Sequence, residues 1–140
     1  MSRYVVDSSV AVKWFVPEIH TDAAVRLLDE GHELLAPDLF LPEFGNVVWK
    51  KIRLEELTLE EGRHVLRGLM AVPVDLYPSE QLLQPAFEIA NGINRSVYDC
   101  FYIALALLRN CRLVTADRRF HDALQGGPFS ASVRWVRDEP

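Results

Sequence analysis

The chain has 140 residues, of which 49% are hydrophobic and 25% charged, and its mean hydropathy is +0.02. We therefore expect one folded domain over residues 1–140, and the composition excludes disordered, collagen-like and low-complexity proteins. The net charge is −5, which taken alone disfavours a polyanionic partner such as nucleic acid.

Three further features narrow the class of protein. The longest apolar run, Cys100 to Leu108, is too short to span a membrane. The first seven residues lack the layout of a secretion signal, so a cytoplasmic location is expected. The two cysteines, Cys100 and Cys111, belong to no CxxC or Cys/His cluster, which predicts reduced thiols and no disulfide scaffold or zinc site.

Hydrophobic periodicity and capping residues predict strands that alternate with helices along almost the whole chain. In chain order the predicted elements are strand Tyr4–Val6, helix Val10–Val16, helix Thr21–Glu30, strand Leu34–Ala36, helix Asp38–Arg53, a helix from Thr58 to before Pro73, strand Val74–Tyr77, helix Ser79–Ala90, helix Ser96–Asn110, strand Arg112–Thr115, helix Arg118–Leu124 and strand Val133–Val136. This alternation predicts an α/β fold with a mostly parallel sheet and helices on both faces.

Local residues suggest where several helices begin. Ser8 and Ser9 are predicted to cap the first helix, Asp38 the third, and Thr58 to open a capping box with Glu61. Pro85 lies inside a helical pattern, where a kink or a new helix start is expected.

Two acids, Asp7 and Asp117, each follow a predicted buried strand. Ligands of open parallel sheets gather at the carboxyl ends of the strands, so both acids point to the same rim. An Asp at a strand-to-helix turn also commonly caps the next helix, and this simpler interpretation is favoured for either acid alone.

Two further acids lie in apolar surroundings. Asp99 is the only charged residue in the run from Ser96 to Leu108, and an ionised carboxylate there needs a cation or several donors. A capping partnership with Ser96 explains Asp99 equally well. Glu43 follows Pro42 near a helix start, where the helix dipole alone would account for it.

Convergence of the four acids would create a metal site. Repulsion among Asp7, Glu43, Asp99 and Asp117 would raise at least one pKa unless a cation lay between them. Oxygen ligands select hard ions such as Mg²⁺ or Mn²⁺, and the four histidines are scattered without zinc-ligand spacing. Clusters of acids that hold one or two such ions are typical of enzymes that hydrolyse phosphodiester bonds.

Basic residues near these acids are candidates for contacts with substrate phosphate, and solvated helix ends are the alternative for each. The candidates are Lys13, Lys50, Lys51, Arg53, Arg95, Arg118 and Arg119, with Arg118 and Lys13 ranked first. Ser8, Ser9 and Thr115 could orient Asp7, bind water or phosphate, or act as simple caps.

Four segments of the chain, in their order and spacing, resemble the motifs of PIN-domain ribonucleases, and most closely those of VapC toxins from toxin–antitoxin modules. These segments are Val5–Ser9, Leu41–Glu43, Ser96–Ala106 and Leu113–Asp117. The resemblance covers essentially the whole chain, and Ser96–Ala106 is its most specific part.

The resemblance implies a three-layer α/β/α domain with a five-stranded, mostly parallel sheet in the order 3-2-1-4-5. It implies metal-binding roles for Asp7, Glu43, Asp99 and Asp117, with Ser9 and Thr115 as supporting polar residues. It also implies RNA cleavage dependent on Mg²⁺ or Mn²⁺, a homodimer and a VapB-type antitoxin partner.

Two other functions remain open at the level of sequence. In a non-catalytic RNA-binding or scaffold module, the acids would serve only as caps. An aspartyl phosphoacceptor or phosphatase with Asp7 as nucleophile is disfavoured, because Ser9 stands where such phosphatases have a second acid. The RNA substrate is not specified by the sequence.

Overall fold

The computed structural model describes residues 2–29 and 31–138 and contains five strands and seven α-helices within them. The strands are β1 (Ser2–Val6), β2 (His32–Pro37), β3 (Val74–Tyr77), β4 (Arg112–Thr115) and β5 (Val133–Trp135). The helices are α1 (Ser8–Ala11), α2 (Thr21–Arg26), α3 (Phe40–Arg53), α4 (Leu59–Ala71), α5 (Ser79–Ile93), α6 (Val97–Leu108) and α7 (Arg118–Leu124). Short 3-10 turns cover Val12–Trp14, Ser130–Ser132 and Val136–Asp138.

All five strands are parallel and lie in the order β3-β2-β1-β4-β5, which confirms the predicted sheet. The central strand β1 aligns Val5 with Leu35 of β2 on one side and with Leu113 of β4 on the other. Strands this apolar are expected when helices cover both faces of a sheet. The predicted α/β/α class is therefore correct.

Helix α6 contributes much of the core. It packs against β1, β2 and β4, and its residues Cys100 to Ala106 are all buried. Its first turn is more open, since the side chain of Asp99 is 37% exposed. A run with a single charge predicts a helix buried nearly all round, and this holds for the middle of α6 but not for the turn that carries Asp99. Cys100 and Cys111 are free thiols, as expected.

Two predicted caps were assigned to the wrong residues. The N-cap of α1 is Asp7, whose side chain accepts from the Val10 amide, and Ser8 and Ser9 lie inside the helix. Asp38 does not cap α3; its carboxylate instead accepts hydrogen bonds from the amide and hydroxyl of Ser79, at the start of α5. Contacts between residues 41 positions apart leave no local signature.

Several predicted boundaries also shift. The predicted helix Val10–Val16 is split between α1 and a 3-10 turn, and α2 ends at Arg26, whereas the predicted end at Glu30 lies outside the described residues. Helix α5 runs through Pro85 without a break to Ile93. Pro85 is exposed, so water can bind the carbonyl that the missing amide leaves unpaired.

The capping box at Thr58 is confirmed, with the side chains of Thr58 and Glu61 each bonded to the other's amide. The described helices include none with the length and apolarity needed to cross a bilayer.

Candidate active site

The pairing of β1 with β4 brings Asp7 and Asp117 to the same edge of the sheet. Val6 lies opposite Val114, and the two acids follow at the carboxyl ends of these strands. Each acid is also an N-cap: Asp7 Oδ1 accepts from the Val10 amide and Asp117 Oδ1 from the Phe120 amide, both at 3.2 Å. The capping interpretation is therefore correct for both acids, and it coincides with their convergence.

Asp7 is held by two hydroxyl groups. Ser9 Oγ donates to its Oδ1 and Thr115 Oγ1 to its Oδ2, each at 2.5 Å. The same hydroxyls accept backbone amides across the edge, Ser9 Oγ from Ala116 at 3.0 Å and Thr115 Oγ1 from Asp117 at 3.1 Å. Ser9 and Thr115 thus lie where the supporting polar residues were predicted, and they tie β1, α1 and β4 together.

Burial makes Asp7 an unusual carboxyl group. Its residue surface is only 8% exposed. Burial raises the pKa of Asp7 to about 6, and the nearby Asp117 adds to this rise, against the opposing hydrogen bonds from Ser9, Thr115 and Val10. Its partners are all neutral donors, so its negative charge is solvated without being neutralised.

Glu43 enters the same cleft from the first turn of α3. The phenol of Tyr102, from α6, donates a 2.5 Å hydrogen bond to Glu43 Oε1. Burial raises the pKa of Glu43, and the charges of Asp7 and Asp99 raise it further, while the Tyr102 hydrogen bond opposes them. The effect of Asp7 and Asp99 on the pKa of Glu43 indicates that the three carboxylates lie close enough to repel one another.

Tyr102 was missed from the sequence. It is buried, and burial together with Glu43 raises the pKa of its phenol well above the usual range, so the hydroxyl keeps its proton and remains a donor. Its position three residues after Asp99 was the available signal, because residues three apart share a helix face.

Asp99 has the cation that its apolar surroundings predicted. Arg95 Nη2 donates to Asp99 Oδ2 at 2.9 Å. Ser96 Oγ accepts the Asp99 amide at 3.1 Å, which is one half of the predicted capping box; the Asp99 carboxylate bonds to Arg95 and does not complete the box. The Asp99 carboxylate therefore bonds to a basic side chain, while its backbone is held by the cap.

All four predicted acids line one small cleft of about 120 Å³, together with Ser8, Ser9, Tyr102 and Phe120. No three Asp, Glu, His or Cys side chains in the described ranges, 2–29 and 31–138, stand close enough to form a closed ligand set. The acids share a cleft without a formed coordination sphere.

The chemistry of the cleft fits a hard divalent cation. Among the described residues its lining holds carboxylates but no imidazole or thiol, and burial, with a smaller contribution from neighbouring carboxylates, raises the pKa values of Asp7 and Glu43. A larger depression, of about 500 Å³, lies at the amino end of β1 and β4, away from these acids, and is lined by residues including Arg3, Glu33 and Cys111.

The two basic residues ranked first for phosphate contact lie elsewhere. Lys13 is buried and its Nζ donates to Glu18 at 3.2 Å, in a cluster that Lys51 shares. Arg118 stacks 3.9 Å above the ring of Trp135 and pairs with Asp122 at 3.7 Å. Neither side chain lines the cleft. The pair of Arg118 with Asp122 has helical i,i+4 spacing, whereas the contacts of Arg118 with Trp135 and of Lys51 with Glu18 join segments far apart in sequence.

Comparison with known proteins decides the family. Residues 4–124 match the model of the PIN domain. The chain belongs to the PIN-domain family. It is 33% identical over 121 residues to Ribonuclease VapC3 of Pyrobaculum aerophilum, covering 84% of this chain and 91% of that protein. Ribonuclease VapC9 of Mycobacterium tuberculosis is likewise 33% identical over 121 residues, with 86% and 91% covered.

Solved structures agree on the PIN fold. PAE2754 from Pyrobaculum aerophilum superposes with a TM-score of 0.69 at 23% identity, covering 98% of this chain and 85% of that one. VapBC2 from Rickettsia felis, solved with a promoter DNA fragment, gives a TM-score of 0.63 at 13% identity, with 95% and 98% covered. The predicted resemblance to PIN-domain ribonucleases of the VapC type is confirmed.

Proposed function

We propose that this PIN-domain protein is an endoribonuclease that depends on Mg²⁺ or Mn²⁺ and hydrolyses RNA phosphodiester bonds. The observation that carries the proposal is that Asp7, Glu43, Asp99 and Asp117 line one cleft at the carboxyl edge of the sheet. Relatives named ribonucleases, at 33% identity over most of the chain, support the same activity.

In the proposed enzyme these four acids would hold the metal. A bound divalent ion would polarise the phosphoryl oxygen, lower the pKa of the attacking water and stabilise the leaving oxygen. Ser9 and Thr115 keep both oxygens of Asp7 in place, and Tyr102 does the same for Glu43. The polar residues around the acids thus fix their orientation before any ion binds.

In-line attack by water would break the bond to the 3′ oxygen and leave a 3′-hydroxyl and a 5′-phosphate. No side chain serves as a nucleophile. Mapping of the ends of cleaved RNA tests this directly, and a 2′,3′-cyclic phosphate would show that the 2′-hydroxyl attacks instead.

The decisive activity experiment compares the wild type with Asp7→Asn on a labelled RNA, with Mg²⁺, with Mn²⁺ and with EDTA. We expect cleavage only by the wild type and only with a divalent ion. Asp75→Asn is the matched control, since Asp75 is an exposed acid on β3 outside the cleft. Equal cleavage by the wild type and Asp7→Asn would refute the proposal.

We further propose that the nuclease is the toxin of a VapBC-type module, acting in the cytoplasm as a homodimer and neutralised by a VapB-type antitoxin. A structural neighbour solved as a toxin–antitoxin complex from Klebsiella pneumoniae supports this role. Induced expression of the wild type should stop growth and Asp7→Asn should not. Co-expression of a short reading frame adjacent to the gene should restore growth.

A non-catalytic RNA-binding or scaffold module is the second candidate. It is favoured by the capping roles of Asp7 and Asp117 and by the lack of a closed ligand set among the described residues. It predicts RNA binding without cleavage and no stabilisation by Mg²⁺ or Mn²⁺.

A further inference from the structure

We propose that Arg95 is the residue through which the cleft binds a phosphate of the RNA. This inference deepens the proposed function and rests on it. It assigns substrate contact to a side chain other than the two ranked first from the sequence, Lys13 and Arg118, which are engaged elsewhere.

Arg95 is a basic side chain that the structure places against one of the four acids. Its Nη2 lies 2.9 Å from Asp99 Oδ2, and its guanidinium lies 5.0 Å from the centre of the Phe120 ring. Arg95 is not itself part of the cleft lining, but both residues that it contacts, Asp99 and Phe120, are. A phosphate held at these acids would therefore lie within a few ångströms of a delocalised positive charge.

The turn before α6 holds Arg95 in this position. Asn94 ends α5 with φ of 56°, in the left-handed region that asparagine tolerates. The chain then re-enters a helix at Val97 after the Ser96 cap, so Arg95 lies between two rigid elements. The stacking on Phe120 adds a second constraint, which lowers the entropy lost when the guanidinium binds a ligand.

The guanidinium also has unused hydrogen-bonding capacity. Arg95 Nε is buried and has no hydrogen-bond partner. Arginine carries five N–H donors in a planar fork that matches phosphate geometry, and its bond to Asp99 uses one nitrogen. A donor left unsatisfied in a protein interior is costly, so a small turn of the side chain toward an anion would be favoured.

The negative charge of the cleft explains why RNA binding needs a basic side chain such as Arg95. The chain carries a net charge of −5, and the cleft itself concentrates four acids that repel RNA. A divalent ion bound at Asp99 would weaken the attraction that holds Arg95 to that carboxylate. The same guanidinium would then be available to a phosphate beside the scissile bond.

The test measures binding of a fluorescein-labelled single-stranded RNA in the Asp7→Asn background, where we expect no cleavage, at a Mn²⁺ concentration that isothermal titration shows to saturate that variant. We expect Arg95→Gln to raise the Kd for RNA about three- to tenfold and to lower the slope of log Kd against log salt by about 0.7. Arg95→Lys, which keeps the charge but not the fork, should give an intermediate Kd. Arg63→Gln is the control, because it removes the same charge from α4, where Arg63 pairs with Glu60 and not with a residue of the cleft lining.

A second readout separates substrate contact from a role in orienting Asp99. Isothermal titration with Mn²⁺, in the otherwise wild-type chain, should show that Arg95→Gln binds the ion at least as tightly as the parent. A weaker Mn²⁺ affinity would overturn the proposal, because Arg95 would then act through Asp99. An unchanged Kd and salt slope for RNA would also overturn it.

Failure of this inference is distinguishable from failure of the proposed function. If the wild type cleaves RNA and Arg95→Gln binds it normally, only the role of Arg95 is wrong. If the wild type neither binds Mn²⁺ nor cleaves RNA, the nuclease itself is wrong.

Discussion

The hydroxyl of Thr115 donates a 2.5 Å hydrogen bond to Asp7 Oδ2 from a strand 108 residues further along the chain. Thr115 Oγ1 also accepts a hydrogen bond from the backbone amide of Asp117 at 3.1 Å, so one buried hydroxyl connects two acids of the cleft. The parallel pairing of β1 with β4 creates this relationship. A substitution at Thr115 therefore tests whether this hydroxyl orients the acids at the carboxyl edge of the sheet.

Thr115→Val keeps the shape of the side chain but removes the donor to Asp7 and the acceptor for the Asp117 amide. We expect the free energy of unfolding to fall by about 1–3 kcal/mol, because buried polar groups lose their partners. RNA cleavage should fall more steeply than stability, since Asp7 is no longer oriented. Urea denaturation and a cleavage assay measure both. Thr115→Ser, which retains the hydroxyl, should resemble the wild type, and Thr115→Val behaving the same way would contradict the prediction.

The burial of Asp7 predicts an unusual dependence of stability on pH. Its pKa is about 6 in the folded protein against an ordinary 3.8, so the native state holds this proton more tightly than the unfolded chain does. Without divalent ions, the contribution of Asp7 to stability is therefore greatest below pH 4 and declines as pH rises to about 6, by about 2–3 kcal/mol. The raised pKa of Glu43 acts in the same direction.

Asp7→Asn should remove most of this decline, while Asp75→Asn should keep it. Chemical denaturation in EDTA at several pH values between 4 and 7.5 provides the measurement. If the free energies of unfolding of the wild type and Asp7→Asn change with pH in parallel, ionisation of the Asp7 carboxyl does not destabilise the fold and the prediction is wrong. Mn²⁺ added at pH 7.5 should raise the melting temperature of the wild type more than that of Asp7→Asn.

Tyr102→Phe removes one hydroxyl and leaves the buried ring. Glu43 then loses the hydrogen bond that fixes its carboxylate, so we expect about a threefold to tenfold weaker affinity for Mn²⁺ and a similar loss of kcat with little change in KM. Tyr98→Phe is the matched control on the same helix, because Tyr98 is 67% exposed and does not line the cleft. Calorimetry and steady-state cleavage kinetics provide the readouts. Equal Mn²⁺ affinities for the two variants would rule out a positioning role for Tyr102.

The cluster of Lys13, Lys51 and Glu18 predicts a purely structural effect. Burial opposes ionisation of Glu18, but hydrogen bonds from Lys51 and Lys13 lower its pKa below the usual value. Glu18→Gln leaves the buried Lys13 ammonium group without its carboxylate and leaves Lys51 paired with the more exposed Glu56, and we expect a loss of about 1–3 kcal/mol in unfolding free energy. The stabilisation by Glu18 should be present above pH 4.5 and be lost as the pH falls below it.

The control for this cluster is Glu56→Gln. Glu56 also pairs with Lys51, at 3.3 Å, but its side chain is 51% exposed, so its removal should cost less than about 1 kcal/mol. Thermal melts of both variants at pH 7 give the comparison. Losses of similar size would mean that the buried cluster contributes no more than a surface ion pair.

Local sequence predicted the features that depend on near neighbours. The five strands, the Thr58 capping box and the Ser96 cap all rest on residues within a few positions of each other, and all were found. The sheet order came from the resemblance to PIN domains rather than from periodicity. The family pattern also supplied the set of four acids that the structure gathers in one cleft.

Contacts between distant segments could not be predicted in the same way. Asp38 bonds to Ser79 and Lys13 to a glutamate shared with Lys51, and both choices depend on how helices pack after the sheet has formed. Pro85 was expected to interrupt α5, but its exposed position leaves the unpaired carbonyl accessible to water. Arg95 and Asp99 are the exception, because their spacing of four residues is itself a helix-pair signal.

Asp7 and Asp117 begin helices with the same side chains that they present to the cleft. Starting a helix requires only an acceptor oxygen, which asparagine and serine also supply, whereas retaining a cation requires formal negative charge. A single nucleotide change in a codon, from aspartate to asparagine, can therefore remove metal-dependent activity while the helix cap and the fold are kept. A related gene can therefore lose catalytic activity while its product stays folded and available for another function, and no unstable intermediate sequence is needed.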